Sequence, residues 1–547
     1  MIGRVDDERI NDRLAADVGR RRERVPRSLA AAASLVVLLV SLPVAYLVVR
    51  ASGGSASSWD LILRARTLWL AARTLGLMLA VTVAAGGIGV AFAWLAVRSD
   101  LPLRRMWATL YALPLVFPSY VGAFTLLAAL GPRGILQGWL EPLGVERLPD
   151  IGGFPGAWLT LTLFTFPYIY LVALASLREL DRSFEEAART LGHARWDVFR
   201  RVTLPLLRPS LLAGGLLVAL YTLHDFGAVS LMRFPTFTQA IFLQYRAAFD
   251  RTPAAILSLL LASLAVLVVA AQQAARGRRR YHRTGAGVPQ APRTVALRRW
   301  RWPAFALSAV VIGLAVVLPC AVLLHLLVRG VSEGIPLNIT VGAAGGSVLA
   351  AAAGAAATVV AAAPIAVLAA RYPRRGSSFA EQMAYTGYAL PGLVVALALI
   401  FTAANYAPAF YQSLPLVVVA YVILFLPQAA EPLKGGLLRS NRRVEEAART
   451  LGSSPADVVR RVIAPILARS SAVAAALVFL TAMKELPATL LLRPTGFETL
   501  ATRLWTSASA GLYSRAAVPA LLIVLLSAAP LAILARRIDP RGTGPTP

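Results

Sequence analysis

Residues that hold metals, form disulfides or bind nucleotide phosphates are scarce in this 547-residue sequence. Cys320 is the only cysteine, so no disulfide or cysteine-held cluster can form within the chain. The four histidines show no spacing typical of metal ligands. The only lysines are Lys434 and Lys484, and neither follows a glycine, so no phosphate-binding loop ending in G-K-S/T is present. The sequence therefore predicts no resident metal or cofactor and no enzyme activity of its own.

Apolar runs, in contrast, recur along the whole chain. Hydrophobic residues make up 57% of it, and the mean hydropathy is +0.66. Segments such as 28–49 and 254–271 contain close to the roughly 20 apolar residues that cross a bilayer core. We count about twelve such segments, about six on each side of a basic break near 276–301. The expected fold class is an all-α polytopic membrane protein.

The net charge of +28 raises the question of a nucleic-acid partner. If the amino terminus is cytoplasmic and twelve spans alternate, the inner loops hold 41 of the 55 Lys and Arg residues and the outer loops hold 13. The positive-inside rule predicts such a bias. The charge therefore indicates orientation in a lipid bilayer, with both termini cytoplasmic, and it does not indicate nucleic acid.

The two halves of the chain share a repeat. The octapeptide E-E-A-A-R-T-L-G occurs at 185–192 and again at 445–452, an offset of 260 residues. Further pairs match at this offset or a larger one: Pro167 with Pro427, Pro205 with Pro465, Asp225 with Glu485, Arg98 with Arg371, and Pro114 with Pro391. Because six spans is an even number, both halves enter the membrane from the same side, as parallel repeats.

The predicted organisation follows from this repeat and the basic break. It comprises a basic cytoplasmic tail at 1–27, a span with an outer loop at 28–69, a first transmembrane domain at 70–273, a basic cytoplasmic linker at 274–302, a span with an outer loop at 303–340, a second transmembrane domain at 341–536, and a cytoplasmic tail at 537–547.

The repeated octapeptide predicts a short amphipathic helix on the cytoplasmic side, between the fourth and fifth spans. Ser183 and Glu186 have the spacing of a capping box, and Gly192 suits the end of the helix. The second copy lacks the serine, but its following helix has Ser454 and Asp457 as cap partners. The apolar stripe is short and rich in alanine: Phe184, Ala188 and Leu191 in the first copy, and Val444, Ala448 and Leu451 in the second. Such helices can lie on lipid, but a narrow small-residue face favours insertion into a protein groove.

The two copies resemble the cytoplasmic loop of type I ABC-importer permeases, with the pattern E-A-A, three residues, G, nine residues, aliphatic-x-L-P. The second copy departs from this pattern at Ala464, where the family has leucine. The resemblance implies the type I permease fold, the bacterial inner membrane, ATP bound by two separate ATPase subunits, and a periplasmic substrate-binding protein. The ATPase-coupling residues that it implies are Glu185, Glu186, Ala187, Ala188 and Gly192, with Glu445, Glu446, Ala447, Ala448 and Gly452.

The substrate is less clearly indicated. The segments 224–251 and 483–505 are most similar to fused ferric-iron permeases, while thiamine and phosphonate permeases share the fused layout. A secondary carrier would explain the repeat but not two docking loops. A membrane scaffold would explain the loops but not the charged residues late in both fifth spans.

Those charged residues are His224 with Asp225 in the first half and Lys484 with Glu485 in the second. About 20 helical residues separate them from the cytoplasmic side, which places them roughly 30 Å higher, towards the periplasm. Because ionisable groups facing lipid are unfavourable, they are expected to face the interior and form an outer gate for the translocation pathway. A purely structural pair remains the alternative.

Overall fold

The computed structural model describes residues 25–53, 59–132, 134–180, 183–247, 252–276, 295–334, 338–387, 390–440 and 442–538. Most of the predicted basic linker, at 277–294, lies outside the described residues, as do most of the amino-terminal tail, at 1–24, and the carboxyl-terminal residues 539–547.

The first half contains twelve α-helices within the described ranges. They are α1 (Arg27–Ser52), α2 (Ala65–Arg98), α3 (Arg104–Leu110), α4 (Ser119–Leu130), α5 (Ile135–Leu140), α6 (Phe154–Glu179), α7 (Ser183–Thr190), α8 (Arg195–Val198), α9 (Leu204–His224), α10 (Gly227–Leu231), α11 (Phe237–Ala247) and α12 (Thr252–Arg276). A π-helical turn at Phe199–Thr203 joins α8 to α9, so the second helix of the repeated loop runs on into the fifth span.

The second half also contains twelve α-helices among its described residues. They are α13 (Arg301–Ile312), α14 (Leu318–Ser332), α15 (Asn338–Arg371), α16 (Arg375–Thr386), α17 (Gly392–Tyr406), α18 (Leu414–Arg439), α19 (Arg442–Thr450), α20 (Pro455–Val458), α21 (Ala464–Ala482), α22 (Pro487–Leu492), α23 (Leu500–Ser509) and α24 (Tyr513–Ile538). A π turn at Val459–Ile463 again joins the loop helix to the fifth span.

The membrane-spanning pattern agrees with the predicted fold class. Within the described ranges, nine helices are long and apolar enough to cross a bilayer, and three shorter apolar helices lie at Gly392–Tyr406, Leu467–Ala482 and Tyr513–Ala528. They fall six in each half, at the positions expected for twelve spans. The prediction of an all-α polytopic protein is confirmed.

The described residues form two compact units. One contains Met1–Ser41, Ala355–Tyr388 and Phe425–Val478, and the other contains Leu42–Gly354, Ala389–Leu424 and Phe479–Pro547. In the larger unit α2 packs along α6. Gly89 permits this close approach, because a Cβ there would lie 2.9 Å from the backbone nitrogen of Tyr170. The ring of Tyr111 stacks on Phe92 with centroids 4.0 Å apart.

Backbone capping contacts recur in both halves of the larger unit. The hydroxyl of Thr74 on α2 accepts from the N–H of Phe237 at the start of α11, at 3.3 Å. The hydroxyl of Ser347 on α15 accepts from the N–H of Leu500 at the start of α23, at 2.7 Å. Each contact satisfies a backbone donor that a helix start leaves without an intrahelical partner. The second span of each half is thereby attached to the helix before the sixth span.

The structure corrects one of the sequence matches. Pro118 and Pro391 are the N-cap residues of the third spans, α4 and α17, with the same extended backbone. Pro114, which the sequence matched with Pro391, lies instead in a short 3-10 turn before α4. The residue equivalent to Pro391 is therefore Pro118, and the predicted match with Pro114 is wrong.

Candidate coupling helices and outer gate

The helices α7 and α19 carry the repeated octapeptide, and we call them the coupling helices. Gly192 has a φ of +86°, in the left-handed region that favours glycine. Its N–H donates to the carbonyl of Arg189 at 3.0 Å, and the N–H of His193 donates to that of Ala188 at 3.2 Å. This bond pair is typical of helices that end at glycine. Gly452 has a φ of +85°, so the predicted helix end is confirmed in both copies.

The helix that follows the second coupling helix begins as its sequence predicts. The N–H of Asp457 donates to the hydroxyl of Ser454 at 3.2 Å, and that hydroxyl donates to the Asp457 carboxylate at 2.7 Å. Ser454 is therefore the N-cap of α20. The capping box predicted at Ser183 stays a prediction, because that side chain lies outside the described residues.

Large apolar side chains project from both coupling helices. Phe184 is 49% exposed and Leu191 79%, while Val444 is 52% exposed and Leu451 85%. The middle residue of the predicted stripe behaves differently, because Ala188 is buried against the permease itself. The stripe is thus divided, with an inward residue at its centre and two apolar residues left at the surface.

The other predicted coupling residues also differ in exposure. Glu186, Ala187 and Ala447 are exposed, and Ala448 is half-buried. The side chain of Glu446 lies outside the described residues. The outward surface of the coupling helices thus combines small residues, an acidic residue and the apolar residues at the helix ends.

The first glutamate of each octapeptide, in contrast, points towards the permease. In the first half Glu185 pairs with Arg98, the last residue of α2, with 3.5 Å between the Arg98 guanidinium and the carboxylate. The same carboxylate oxygen accepts from the hydroxyl of Thr203 at 3.0 Å. Arg98 is buried, with an exposure of 7%. Glu185 therefore joins the first coupling helix to the ends of the second and fifth spans.

The second half contains the equivalent pair. The guanidinium of Arg371, the last residue of α15, pairs with Glu445 and also donates to the hydroxyl of Ser440 at 3.0 Å. Arg371 is 8% exposed and Glu445 is 4% exposed. The sequence offered one signal for these partners, since Arg98 and Arg371 match between the halves, but it did not assign them to the coupling site.

Asp225 lies in the turn after the fifth span, directly after His224, which is the last residue of α9. One carboxylate oxygen accepts from the N–H groups of Ala228 and Val229, at 2.9 and 3.1 Å. The other oxygen accepts from the hydroxyl of Ser119 at the start of α4. Asp225 is buried and caps the short helix α10.

Glu485 occupies the equivalent turn in the second half. Its carboxylate accepts from the N–H groups of Ala488 and Thr489, both at 3.0 Å, and so caps α22. Its neighbour Lys484 donates to the carbonyl of Leu115 at 2.7 Å. Gly392, at the start of α17, leaves room for the carboxylate, because a Cβ there would lie 2.6 Å from it.

Residues at or next to the two predicted gate positions contact the opposite half within the larger unit. Besides the Lys484–Leu115 bond, the hydroxyl of Tyr120 donates to the carbonyl of Lys484 at 3.3 Å. The rings of Phe226 and Trp505 lie 4.9 Å apart between centroids. Across the described residues, no group of three or more His, Cys, Asp or Glu side chains could hold a metal ion. The arrangement is therefore a contact between halves built on capped turns, with both carboxylates engaged in capping.

Two family domains, the twelve apolar helices and the paired loops define the class of this protein. The chain belongs to the family of binding-protein-dependent transport system inner membrane components, which matches residues 85–281 and 362–543. It is therefore a multi-pass permease of the ABC-importer class, with both family domains fused in one chain. This confirms the resemblance on which the sequence analysis relied.

Known relatives carry several substrates. The chain is 31% identical over 510 residues to the Fe(3+)-transport system permease protein FbpB 2 of Haemophilus influenzae, covering 92% of this chain and 97% of that protein. It is 36% identical over 146 residues to the molybdenum transport system permease protein ModB of Escherichia coli, covering 26% of this chain and 60% of ModB. It is 30% identical over 203 residues to the sulfate transport system permease protein CysT of Escherichia coli, covering 37% of this chain and 72% of CysT.

Proposed function

We propose that this permease imports iron(III) delivered by a periplasmic binding protein. The observation that carries the proposal is the similarity to FbpB 2, which extends over nearly the full length of both chains and includes both halves. The similarity to the molybdenum and sulfate permeases covers only 26% and 37% of this chain, respectively. The full-length similarity thus favours the ferric relative over the molybdenum and sulfate relatives.

The energy for import is proposed to come from two ATPase subunits, one on each coupling helix. Each helix presents exposed apolar side chains beside small residues, a surface suited to a groove on a partner protein. Glu186, Ala187, Ala188 and Gly192 with their counterparts Glu446, Ala447, Ala448 and Gly452 form or shape this surface in the proposal. The absence of a phosphate-binding loop in the sequence fits ATP hydrolysis on a separate subunit.

The outer gate is proposed at the turns that contain His224 with Asp225 and Lys484 with Glu485. Support comes from the bonds that join Lys484 to Leu115 and Tyr120 of the first half, and from the ring contact between Phe226, beside Asp225, and Trp505 of the second half. Since both carboxylates cap short helices, we propose that they set the shape and charge of the gate and do not ligate the ion directly. Substrate specificity then resides in the binding protein.

Uptake measurements test the proposal and separate it from a gradient-driven carrier. The permease is purified with an ATPase subunit and reconstituted in vesicles with a binding protein loaded with iron(III), molybdate or sulfate. ATP-dependent uptake of iron(III) that persists with an ionophore supports the proposal. Uptake that the ionophore abolishes and ATP does not restore supports a secondary carrier, and ATP-dependent uptake of an oxyanion alone would reassign the substrate.

A further inference from the structure

Each half buries an arginine at the predicted cytoplasmic end of its second span: Arg98 in the first half and Arg371 in the second. Arginine is almost never fully buried unless it is paired, so a buried arginine at the same place in both halves calls for a specific role. In both halves its partner is the first glutamate of the octapeptide. Because the first half and the second half contain the pair independently, it is a property of the repeat.

The two adjacent glutamates of the first octapeptide differ in their contacts. Glu185 bonds inward to Arg98 and Thr203, whereas Glu186, one residue later, is exposed on the outer side of α7. The inward glutamate therefore fixes the orientation of the helix, and the outward one is free to meet a partner. The bond to the buried guanidinium of Arg98 opposes a rotation of α7 about its axis.

In the first half the pair also connects the coupling helix to the outer side of the larger unit. Arg98 is the last residue of α2, and Thr74 on the same helix caps α11. The two residues are 24 positions apart, which corresponds to about 36 Å of α-helix. The helix α11 begins at Phe237, twelve positions after Asp225, and the hydroxyl of Thr238 on α11 donates to the carbonyl of Asp225 at 2.7 Å. These contacts connect α7, through α2 and α11, to the turn that contains Asp225.

We propose that Arg98 and Arg371 are positioning residues of the transport cycle, which lock each coupling helix to the second span through Glu185 and Glu445. The proposal rests on the proposed function in one respect, namely that an ATPase docks on these helices. It predicts that breaking the lock separates ATP hydrolysis from transport, while the ATPase still binds to the outward surface.

The experiment compares variants in reconstituted vesicles that contain permease, ATPase and loaded binding protein. Arg98→Gln is expected to retain ATPase co-purification but to move at least about fivefold less substrate per ATP hydrolysed, within the usual range of coupling effects. Arg98→Lys should restore part of the ratio, because it returns the positive charge. The exposed pair of Arg329 and Glu333, 2.9 Å apart, supplies the matched control, and Arg329→Gln should leave the ratio unchanged.

A double variant controls for the possibility that Arg98→Gln merely fails to fold. Arg98→Gln combined with Glu185→Gln removes both charges, so no unpaired charge remains buried. A normal substrate-to-ATP ratio in this double variant would overturn the proposal, as would a normal ratio in Arg98→Gln. If instead the wild-type vesicles show no ATP-driven uptake of iron(III), molybdate or sulfate, the proposed function fails, and that outcome is visible before any variant is made.

Discussion

The turns after the two fifth spans each place a carboxylate beside the start of a third span, but they do so with different residues. Exchanging these residues between the halves tests whether the two arrangements are equivalent. In the first half the short carboxylate of Asp225 is met by the hydroxyl of Ser119. In the second half the longer carboxylate of Glu485 lies where Gly392 has no side chain. Ser119 and Gly392 each follow an N-cap proline, so they are equivalent positions. One half thus combines Ser with Asp, and the other combines Gly with Glu.

The change Gly392→Ser would introduce a Cβ 2.6 Å from the nearer Glu485 oxygen, whereas ordinary contact begins at 3.4 Å. The carboxylate is the end of a flexible side chain, so it can move by the roughly 0.8 Å required. A displacement of that size away from Ala488 lengthens the 3.0 Å bond from its N–H beyond hydrogen-bonding range and weakens the cap, while the other oxygen keeps its bond from the N–H of Thr489. Loss of an N-cap destabilises by roughly 0.5–2 kcal/mol, so we expect a melting temperature a few degrees lower.

Rescue by a second change gives the decisive comparison. Gly392→Ser with Glu485→Asp reproduces the first-half arrangement and should return the melting temperature towards that of the wild type. Thermal unfolding of the purified permease in detergent, followed by size exclusion, measures the effect. Gly342→Ser is the control, because a Cβ there meets nothing within 4 Å. Equal stability of Gly392→Ser and wild type, or no rescue by Glu485→Asp, would refute the idea that the absence of a side chain at Gly392 accommodates the longer Glu485.

Three other outcomes are expected. Ala187→Arg with Ala447→Arg should abolish ATPase co-purification at normal membrane levels, because both positions are exposed. Retained co-purification in this variant would contradict docking at this surface. Ala188→Arg, in contrast, should destabilise the permease itself by roughly 1–3 kcal/mol, because the larger side chain overpacks a buried position. Asp225→Asn with Glu485→Gln keeps a capping oxygen at each turn and removes both charges, so iron(III) uptake should fall at least tenfold while assembly persists, and uptake at the wild-type rate would assign these carboxylates to structure alone. Reporter fusions should be cytoplasmic after Arg104, Arg195, Pro289, Arg374 and Arg460 and periplasmic near Gly144, Thr238, Glu333, Tyr406 and Phe497, and one reproducible inversion would contradict the twelve-span topology.

Features governed by local sequence were predictable. Apolar length predicted the spans, and glycine predicted the ends of both coupling helices, because these properties depend on a few consecutive residues. The capping role of Asp225 also had a local signal, since Asp is among the preferred N-cap residues and Ala228 lies three positions later. Because ionisable residues within spans are usually functional, the sequence predicted a role for Asp225 in the gate instead. Both rules applied to Asp225, and only coordinates could show the bonds that its oxygens make.

The pairing of Arg98 with Glu185 was not predictable, because 87 residues separate them and no periodic pattern connects positions so distant. The repeat nevertheless contained indirect information. Between Arg98 and Glu185 the first half is 13 residues longer than the second, since the offset falls from 273 at the arginines to 260 at the glutamates. A pair that survives this change in the intervening loops reflects a contact that the fold requires rather than a fixed spacing along the chain.

The two coupling sites nevertheless differ in what surrounds the shared pair. Beside Arg98, the end of the linker returns to the protein: the N–H of Val295 donates to the Arg98 carbonyl at 2.7 Å, and the N–H of Leu297 donates to the Asp100 carboxylate at 2.8 Å. Beside Arg371, a hydroxyl from Ser440 supplies the additional bond instead. Fusion of the halves therefore places the end of the connecting segment against the end of α2, which carries Arg98. If Arg98 positions the first coupling helix as proposed, the end of the linker contributes to that positioning, because it holds the backbone of Arg98.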